Sequence, residues 1–322
     1  MKRVITMTNK EKYRKLCRSE KSIPLFSRDW WLDVVCGENN WKVLLLENNG
    51  IIEASMTLYT PVSGVVTMPP HTQTMGIWFN PAIKKEKYYK ELLRKQEICN
   101  HFLDELSGYR NFLQNFCHTF TDWLPFCWKG YKQTTRYTYI LPQINDRELL
   151  WENLSNSQKR SIKKARSNNL VIKKGISMEE LLKLHTKTYR RQGKKPYHQK
   201  TLARLIEETR RRNQGEIWGA YDEQGRLHAA TFFVWQDDFC FCVAEGGDPE
   251  LRNSGANSLI IWEAISELST VAKMLDFKGS MEANIEFFNK GFGTIQTPYF
   301  AISKGRLTLL DRALIKWKRR GE

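Results

Sequence analysis

Two stretches of this chain have the residue types and spacing to hold an anion. The first is Arg252-Asn-Ser-Gly-Ala-Asn257, which precedes an apolar helical pattern of Leu259, Trp262, Ile265 and Leu268. Gly255 and Ala256 let a ligand approach the backbone, and unpaired N–H groups at a helix start attract negative charge. The second is Asn153-Leu-Ser-Asn-Ser-Gln-Lys-Arg-Ser-Ile-Lys-Lys-Ala-Arg166. Asn or Ser caps a helix there, with Lys159, Lys163 and Arg166 along one side and Arg160 and Lys164 beside them. Such a row suits phosphate or pyrophosphate, because Arg gives paired bonds and Lys a point charge. No Ser/His/Asp or Cys/His arrangement indicates a covalent nucleophile. Cysteines 17, 36, 99, 117, 127, 240 and 242 show neither C-x-x-C nor zinc spacing, so no metal is expected and the thiols are expected to be reduced.

The elements that position the loop are short. The runs 216–221, 227–235 and 239–247, parted by polar turns, predict a three-stranded antiparallel meander. Phe239, Phe241 and Val243 alternate with Cys240, Cys242 and Ala244, predicting a third strand buried on both faces. The loop, its helix and a strand from Met274 to Phe277 follow. The first half repeats this order: a hairpin turning at Asn48-Asn-Gly50, a strand at 65–68, a loop at 69–76, a helix over 88–106, a strand from Asn111, a Lys129-Gly130 turn and a strand over 137–141. The repeat predicts a duplicated domain. Helices over 178–191 and 200–212 flank a loop with Lys194, Lys195 and Tyr197. A last helix over 306–320 is expected to turn Leu307, Leu310, Leu314 and Trp317 inward.

The net charge is +16, and residues 141–200 hold 15 Lys/Arg against 5 Asp/Glu. A field of that sign favours an anionic partner: CoA phosphates, a nucleotide- or lipid-linked precursor, tRNA or an acidic membrane surface. No apolar run approaches the roughly 18 residues of a membrane span, and the start, MKRVITMTNKEKYRK, lacks a secretion signal. The expected location is cytoplasmic, without a stable membrane span.

Gly246-Gly-Asp-Pro-Glu-Leu-Arg252, Leu275-Asp-Phe-Lys-Gly-Ser280 and Phe287-Phe-Asn-Lys-Gly-Phe-Gly293, in that order, resemble GNAT acyltransferases. The match is to the double-GNAT group of Fem-type peptidyltransferases and their acetyltransferase-like relatives. The basic segment resembles the one linking the two domains in that group. The resemblance implies an α+β fold of two GNAT-like domains in tandem, each a mixed, mostly antiparallel sheet flanked by helices. The expected division is 1–142, a first domain without a phosphate loop; 143–214, a basic helical linker; and 215–322, the acyl-donor domain.

It implies acyl transfer from acyl-CoA, such as acetyl-CoA, to an amine on an anionic cell-envelope or polysaccharide precursor. A Fem-like transfer from aminoacyl-tRNA is the alternative. A catalytically silent RNA- or anion-binding protein is a third reading. Val243, Ala244, Arg252, Asn253, Ser254, Gly255, Ala256 and Asn257 are the expected donor site. Asn257 stands where small-molecule GNAT enzymes have a small residue. Phe288 stands where they often have the tyrosine that protonates the leaving thiolate, so Tyr299 is the candidate acid. Glu245 is the expected base, with Asp276 the other acidic candidate. Gln73 in a Pro-Pro-x-Thr-Gln loop, Arg160, Lys164, Arg191, Tyr197 and Lys290 are the expected substrate contacts.

Overall fold

A computed structural model of the chain describes residues 7–83, 87–279 and 281–321. The expectation of no secretion signal rests partly on residues 1–6, which lie outside the described residues, as does Ser280 of the quoted strand end. The structure divides into two compact units, residues 1–136 with 299–322, and residues 137–298.

The first unit opens with α1 (Asn9–Ser19), whose Thr8–Glu11 capping box satisfies two orphan N–H groups. It continues through α2 (Asp29–Cys36), β1 (Trp41–Asn48), β2 (Ile51–Val62), β3 (Val65–Thr67), β4 (Ile77–Phe79), α3 (Tyr88–Leu106), β5 (Asn111–Asn115), α4 (Leu124–Trp128) and the start of β6 (Lys132–Leu141). β1 and β2 form the expected hairpin, with both turn residues, Asn49 and Gly50, at positive φ. β3 pairs antiparallel with β2 and parallel with β5. Met56, Leu58, Phe102, Phe112, Phe116 and Phe126 centre its core.

The second unit follows as α5 (Arg147–Asn153), α6 (Asn156–Ser167), β7 (Val171–Lys174), α7 (Met178–Arg191), α8 (Gln199–Arg211), β8 (Gly215–Tyr221), β9 (Leu227–Gln236), β10 (Phe239–Gly247), α9 (Ala256–Leu268), β11 (Met274–Asp276) and α10 (Ala283–Lys290). The chain ends with β12 (Ile295–Gly305) and α11 (Leu309–Gly321). β7 to β10 pair antiparallel in sequence order, and β10 runs parallel to β11. Cys240 and Cys242 are buried as expected, whereas Phe239 and Phe241 are half-buried and stack on each other at 6.0 Å. All seven cysteines are free thiols.

Each sheet is thus a meander, a parallel strand reached through a helix, and one further antiparallel strand. That last strand is exchanged. β6 follows the first meander in sequence, yet Ile140 and Leu141 pair with β11 in the second unit. β12 follows the second meander, yet Ala301–Gly305 pair with β5 in the first. The expected third segment, 215–322, is corrected accordingly: residues 299–322 pack with the first unit, because β12 finds its partner there.

Two corrections concern the tail and the first helix. Along α11, Asp311 and Ile315 face inward, while Leu310, Leu314 and Trp317 are exposed. Arg110 of the first unit binds the Asp311 carboxylate, and Thr308 caps the helix against the same side chain. That ion pair, which spacing does not reveal, turns the helix. α1 was not expected, because its run is polar apart from Leu16 and the buried Tyr13 and Cys17.

Gly279 sits where a Cβ would lie 2.0 Å from the Tyr137 carbonyl oxygen. Gly279→Ala is expected to lower unfolding free energy by about 1–3 kcal/mol, because backbone must move to admit the methyl. An equilibrium denaturant titration checks this.

Candidate active site

β10 changes phase partway along. Cys242 pairs with Phe233 and Ala244 with the adjacent Phe232, so Val243 is an extra residue with no partner on β9. Such a bulge bends the strand and reverses the alternation beyond it. Its consequence is immediate. Glu245, three residues past Cys242, falls on the same face, and the Cys242 thiol donates to Glu245 Oε1 at 3.3 Å. Pairing between β10 and β11 also stops there: Phe241 opposite Asp276 is its last register position. The two strands therefore offer Val243, Ala244 and Glu245 on one side and the residues after Asp276 on the other.

Past Asp276 the chain turns sharply at Lys278, which holds a left-handed conformation with φ 50°. A lysine takes this shape only where its surroundings impose it. Asp276 Oδ1 accepts from the Lys278 N–H at 2.7 Å and from Thr138 Oγ1, and Thr138 Oγ1 accepts in turn from the Gly279 N–H at 3.1 Å. Asp276 is 3% exposed and braces the turn. Its placement is that of a positioning residue, not the base it was a candidate for.

Burial dominates the electrostatics. It pushes the Lys278 ammonium down to about 8 from 10.5, against the opposing pull of Cys242 and Asp276. It raises the Glu245 carboxyl, with the Cys242 hydrogen bond acting the other way, and it raises the Cys242 thiol far out of reach of neutral pH. Glu245 keeps an exposed surface while its carboxyl sits crowded by protein, so solvent reaches a group that is nonetheless poorly solvated.

α7 holds the end of β10 in place. The Gly246 Cα meets the α7 backbone, where a Cβ would lie 2.6 Å from the His185 nitrogen. Thr188 Oγ1 accepts from the Gly247 N–H at 2.9 Å, and Lys187 pairs with Asp248 at 2.5 Å. His185 is buried, and burial lowers its imidazole to about 4.

The Arg252–Asn257 loop forms a tight entry to α9. Arg252, Asn253 and Ser254 form a single turn, Gly255 caps α9 at φ 83°, and Arg252, Asn253 and Asn257 are exposed. Ala256 is buried beneath the loop. α6 lies directly on it: a Cβ on Gly255 would sit 2.2 Å from the Ser161 carbonyl oxygen. Gln158 ties the two helices, accepting from Ser258 Oγ at 2.6 Å and donating to the Phe288 carbonyl at 3.1 Å. The basic row divides. Lys159 donates to the Glu152 carbonyl and Arg166 pairs with Glu263 at 2.6 Å, whereas Arg160, Lys163, Lys164 and Arg252 form no ion pair among the described residues.

The other expected residues disperse. Arg191 and Tyr197 are exposed at the end of α7 and in the loop after it. Lys290 is engaged within α10, with Glu286 at 3.0 Å. Tyr299 is buried in the first unit, its hydroxyl accepting from Arg136 Nε at 3.3 Å. Gln73 is buried in the same unit, its carbonyl accepting from Asn115 Nδ2. Lys278, Cys242 and Thr138 were missed. Asp276-Phe-Lys-Gly279 carries the signal: an acid and a glycine bracketing a lysine at a strand end.

A hollow of about 560 Å³ lies along α9 and β7, lined by Leu170, Val171, Trp218, Leu259, Arg166 and Glu263 among others. It includes none of the site residues, and Glu263 binds both Arg147 and Arg166, so its charges are spent on one another.

Residues 154–279 match the family described as "Acetyltransferase (GNAT) domain". A search of curated proteins returned no match. Among solved structures, FemX is similar at TM-score 0.65 and 10% identity, over 98% of this chain and 99% of that one. A conserved protein of unknown function from Bacteroides thetaiotaomicron gives 0.54 at 13% identity, over 93% and 98%. The C-terminal domain of a putative lysylphosphatidylglycerol synthetase from Agrobacterium fabrum gives 0.52 at 11% identity, over 89% and 90%.

The two pKa shifts predict a stability effect that requires no substrate. Lys278 binds its proton less tightly folded than unfolded, so it adds stability as pH rises from about 8 to 10.5. Glu245, shifted upward, costs stability once pH exceeds its ordinary value of 4.5. Lys278→Met should flatten the rise between pH 8 and 10.5 relative to the parent, and Glu245→Gln should raise the melting midpoint at pH 7. Denaturant and thermal midpoints across pH check both signs.

Proposed function

From a chain with the double-GNAT, Fem-like fold, whose residues 154–279 are a GNAT acetyltransferase domain, we propose an N-acyltransferase that moves an acyl group from acyl-CoA to an amine. The observation that carries this is that Glu245, which accepts from the Cys242 thiol, and Lys278, on which Cys242 and Asp276 pull, stand where the pairing of β10 and β11 stops, with burial shifting the two groups in opposite directions. Opposite shifts on an acid and a base are how one site does both proton transfers near neutral pH.

The acyl carbonyl enters beside the Val243 bulge. Glu245 takes a proton from the acceptor ammonium, directly or through water, and the freed amine attacks the carbonyl. The Lys278 ammonium stabilises the tetrahedral oxyanion. As the intermediate collapses, Lys278 gives its proton to the departing thiolate, the role for which Tyr299 was the candidate, and the second proton shed by the attacking nitrogen returns Lys278 to its ammonium form. Arg252, Asn253, Arg160 and Lys164 anchor the donor phosphates around Gly255, whose closeness to α6 admits no side chain. Arg191 and Tyr197 face the acceptor, an anionic cell-envelope or polysaccharide precursor.

Two observations favour a second donor, aminoacyl-tRNA. α6 lies on Gly255 of the loop, and Phe288 supplies no hydroxyl. In that reading the free cations of α6 meet nucleic-acid phosphates, and Lys278 gives its proton to the departing ribose oxygen of the ester instead of a thiolate.

Melting midpoints with acetyl-CoA, longer acyl-CoAs, free CoA and aminoacyl-tRNA, at fixed salt, separate the donors. A rise with CoA that Arg252→Glu abolishes supports acyl-CoA; a salt-sensitive rise with aminoacyl-tRNA alone replaces it. With the donor in hand, Glu245→Gln should lower kcat by about 10²–10⁴. Lys278→Arg should remove the basic limb of the rate profile near pH 8, because Arg does not titrate there. Unchanged turnover in both variants would remove Glu245 and Lys278 from the mechanism, and no turnover with any donor in the parent would leave only a binding protein.

A further inference from the structure

α11 docks by one narrow seam. Asp311 is 2% and Ile315 6% exposed, whereas Leu309 is 83%, Leu310 68%, Leu314 38% and Trp317 69% exposed. At 3.6 residues per turn, Leu309, Ala313, Trp317, Leu310 and Leu314 follow one another around an arc of roughly 140°. Ala313 is exposed as well, so from Leu309 to Lys318 the arc is apolar. Arg312 and Lys316 lie beyond the Leu309 edge and Lys318 beyond the Leu314 edge, all exposed.

This is an exposed apolar face with cations along both margins. A helix of 13 residues falls short of the roughly 20 needed to cross a bilayer. It has the make-up of one that lies in the interface, with its apolar side against acyl chains and its cations at lipid phosphates. Trp317 has the ring type enriched at headgroup depth. The only acid from Leu309 to Lys318 is Asp311, and it is occupied by Arg110 and Thr308. Two copies of this face brought together would set cation against cation at both margins, whereas an anionic surface complements both.

We propose that α11 is an interfacial anchor, which seats the protein on anionic lipid through Leu309, Leu310, Leu314 and Trp317 framed by Arg312, Lys316 and Lys318. The anchor is independent of which acyl donor the enzyme uses.

The control needed is against plain adsorption of a chain of net charge +16. Flotation is compared on phosphatidylcholine vesicles and on vesicles also containing phosphatidylglycerol, for the full chain and for Leu310→Ser/Trp317→Ser, which keeps every charge. The parent should float only with phosphatidylglycerol present, and the double variant should bind about tenfold or more weakly at unchanged melting midpoint, since the inward seam is intact. Fluorescence adds a readout with an undisturbed fold. Brominated anionic vesicles should quench the parent more than Trp317→Phe, by the share of that one indole. Equal flotation of parent and double variant, or equal quenching of parent and Trp317→Phe, would overturn the anchor. So would a parent dimer that the double variant dissolves without any vesicle binding, because a second copy would then be what covers the face.

Discussion

One extra residue, Val243, sets the geometry of the second unit. Were β10 to alternate with no bulge, Glu245, three residues past Cys242, would point away from it. With it, carboxylate and thiol share a face, and the strand bends away from β11 after Phe241. The bent end then needs outside support. α7 supplies it through the Gly246 contact, Thr188 and Lys187, so Gly246 is required where helix and strand backbones meet.

Local chemistry in the letters was a good guide to the elements. Asn49-Gly50 specifies a hairpin, Ser155 and Ser177 specify helix starts, and Arg252–Asn257 specifies a tight entry to α9. The bulge was not legible, because Val243 continues an apolar run as any β-branched residue would. Lys278 was hidden for a related reason. Its conformation is imposed by Asp276 and Thr138, and Thr138 belongs to a strand far away in sequence. The tail misled in the opposite sense: spacing gives the apolar face of α11, but Arg110 binding Asp311 decides which way that face turns.

The shifts at Glu245 and Lys278 have a common origin. Burial penalises the charged form of each, so a carboxyl group is raised and an ammonium lowered. Nearby surface cations behave otherwise. Lys159 and Arg166 are drawn into structural contacts, leaving Arg160, Lys163, Lys164 and Arg252 solvated around the loop. In the proposed reaction, proton chemistry and anion attraction fall to separate groups.

The exchanged strands bear on how the chain is made. Asn111 takes its place in the first sheet beside Gly305, and Ile140 enters the second beside Asp276. As the chain leaves the ribosome, β5 keeps an open edge until β12 has been synthesised. Contacts of such long sequence separation slow folding and keep a strand edge exposed meanwhile. The duplication visible in the sequence has therefore not left two self-sufficient halves: each has surrendered the strand that would let it close alone.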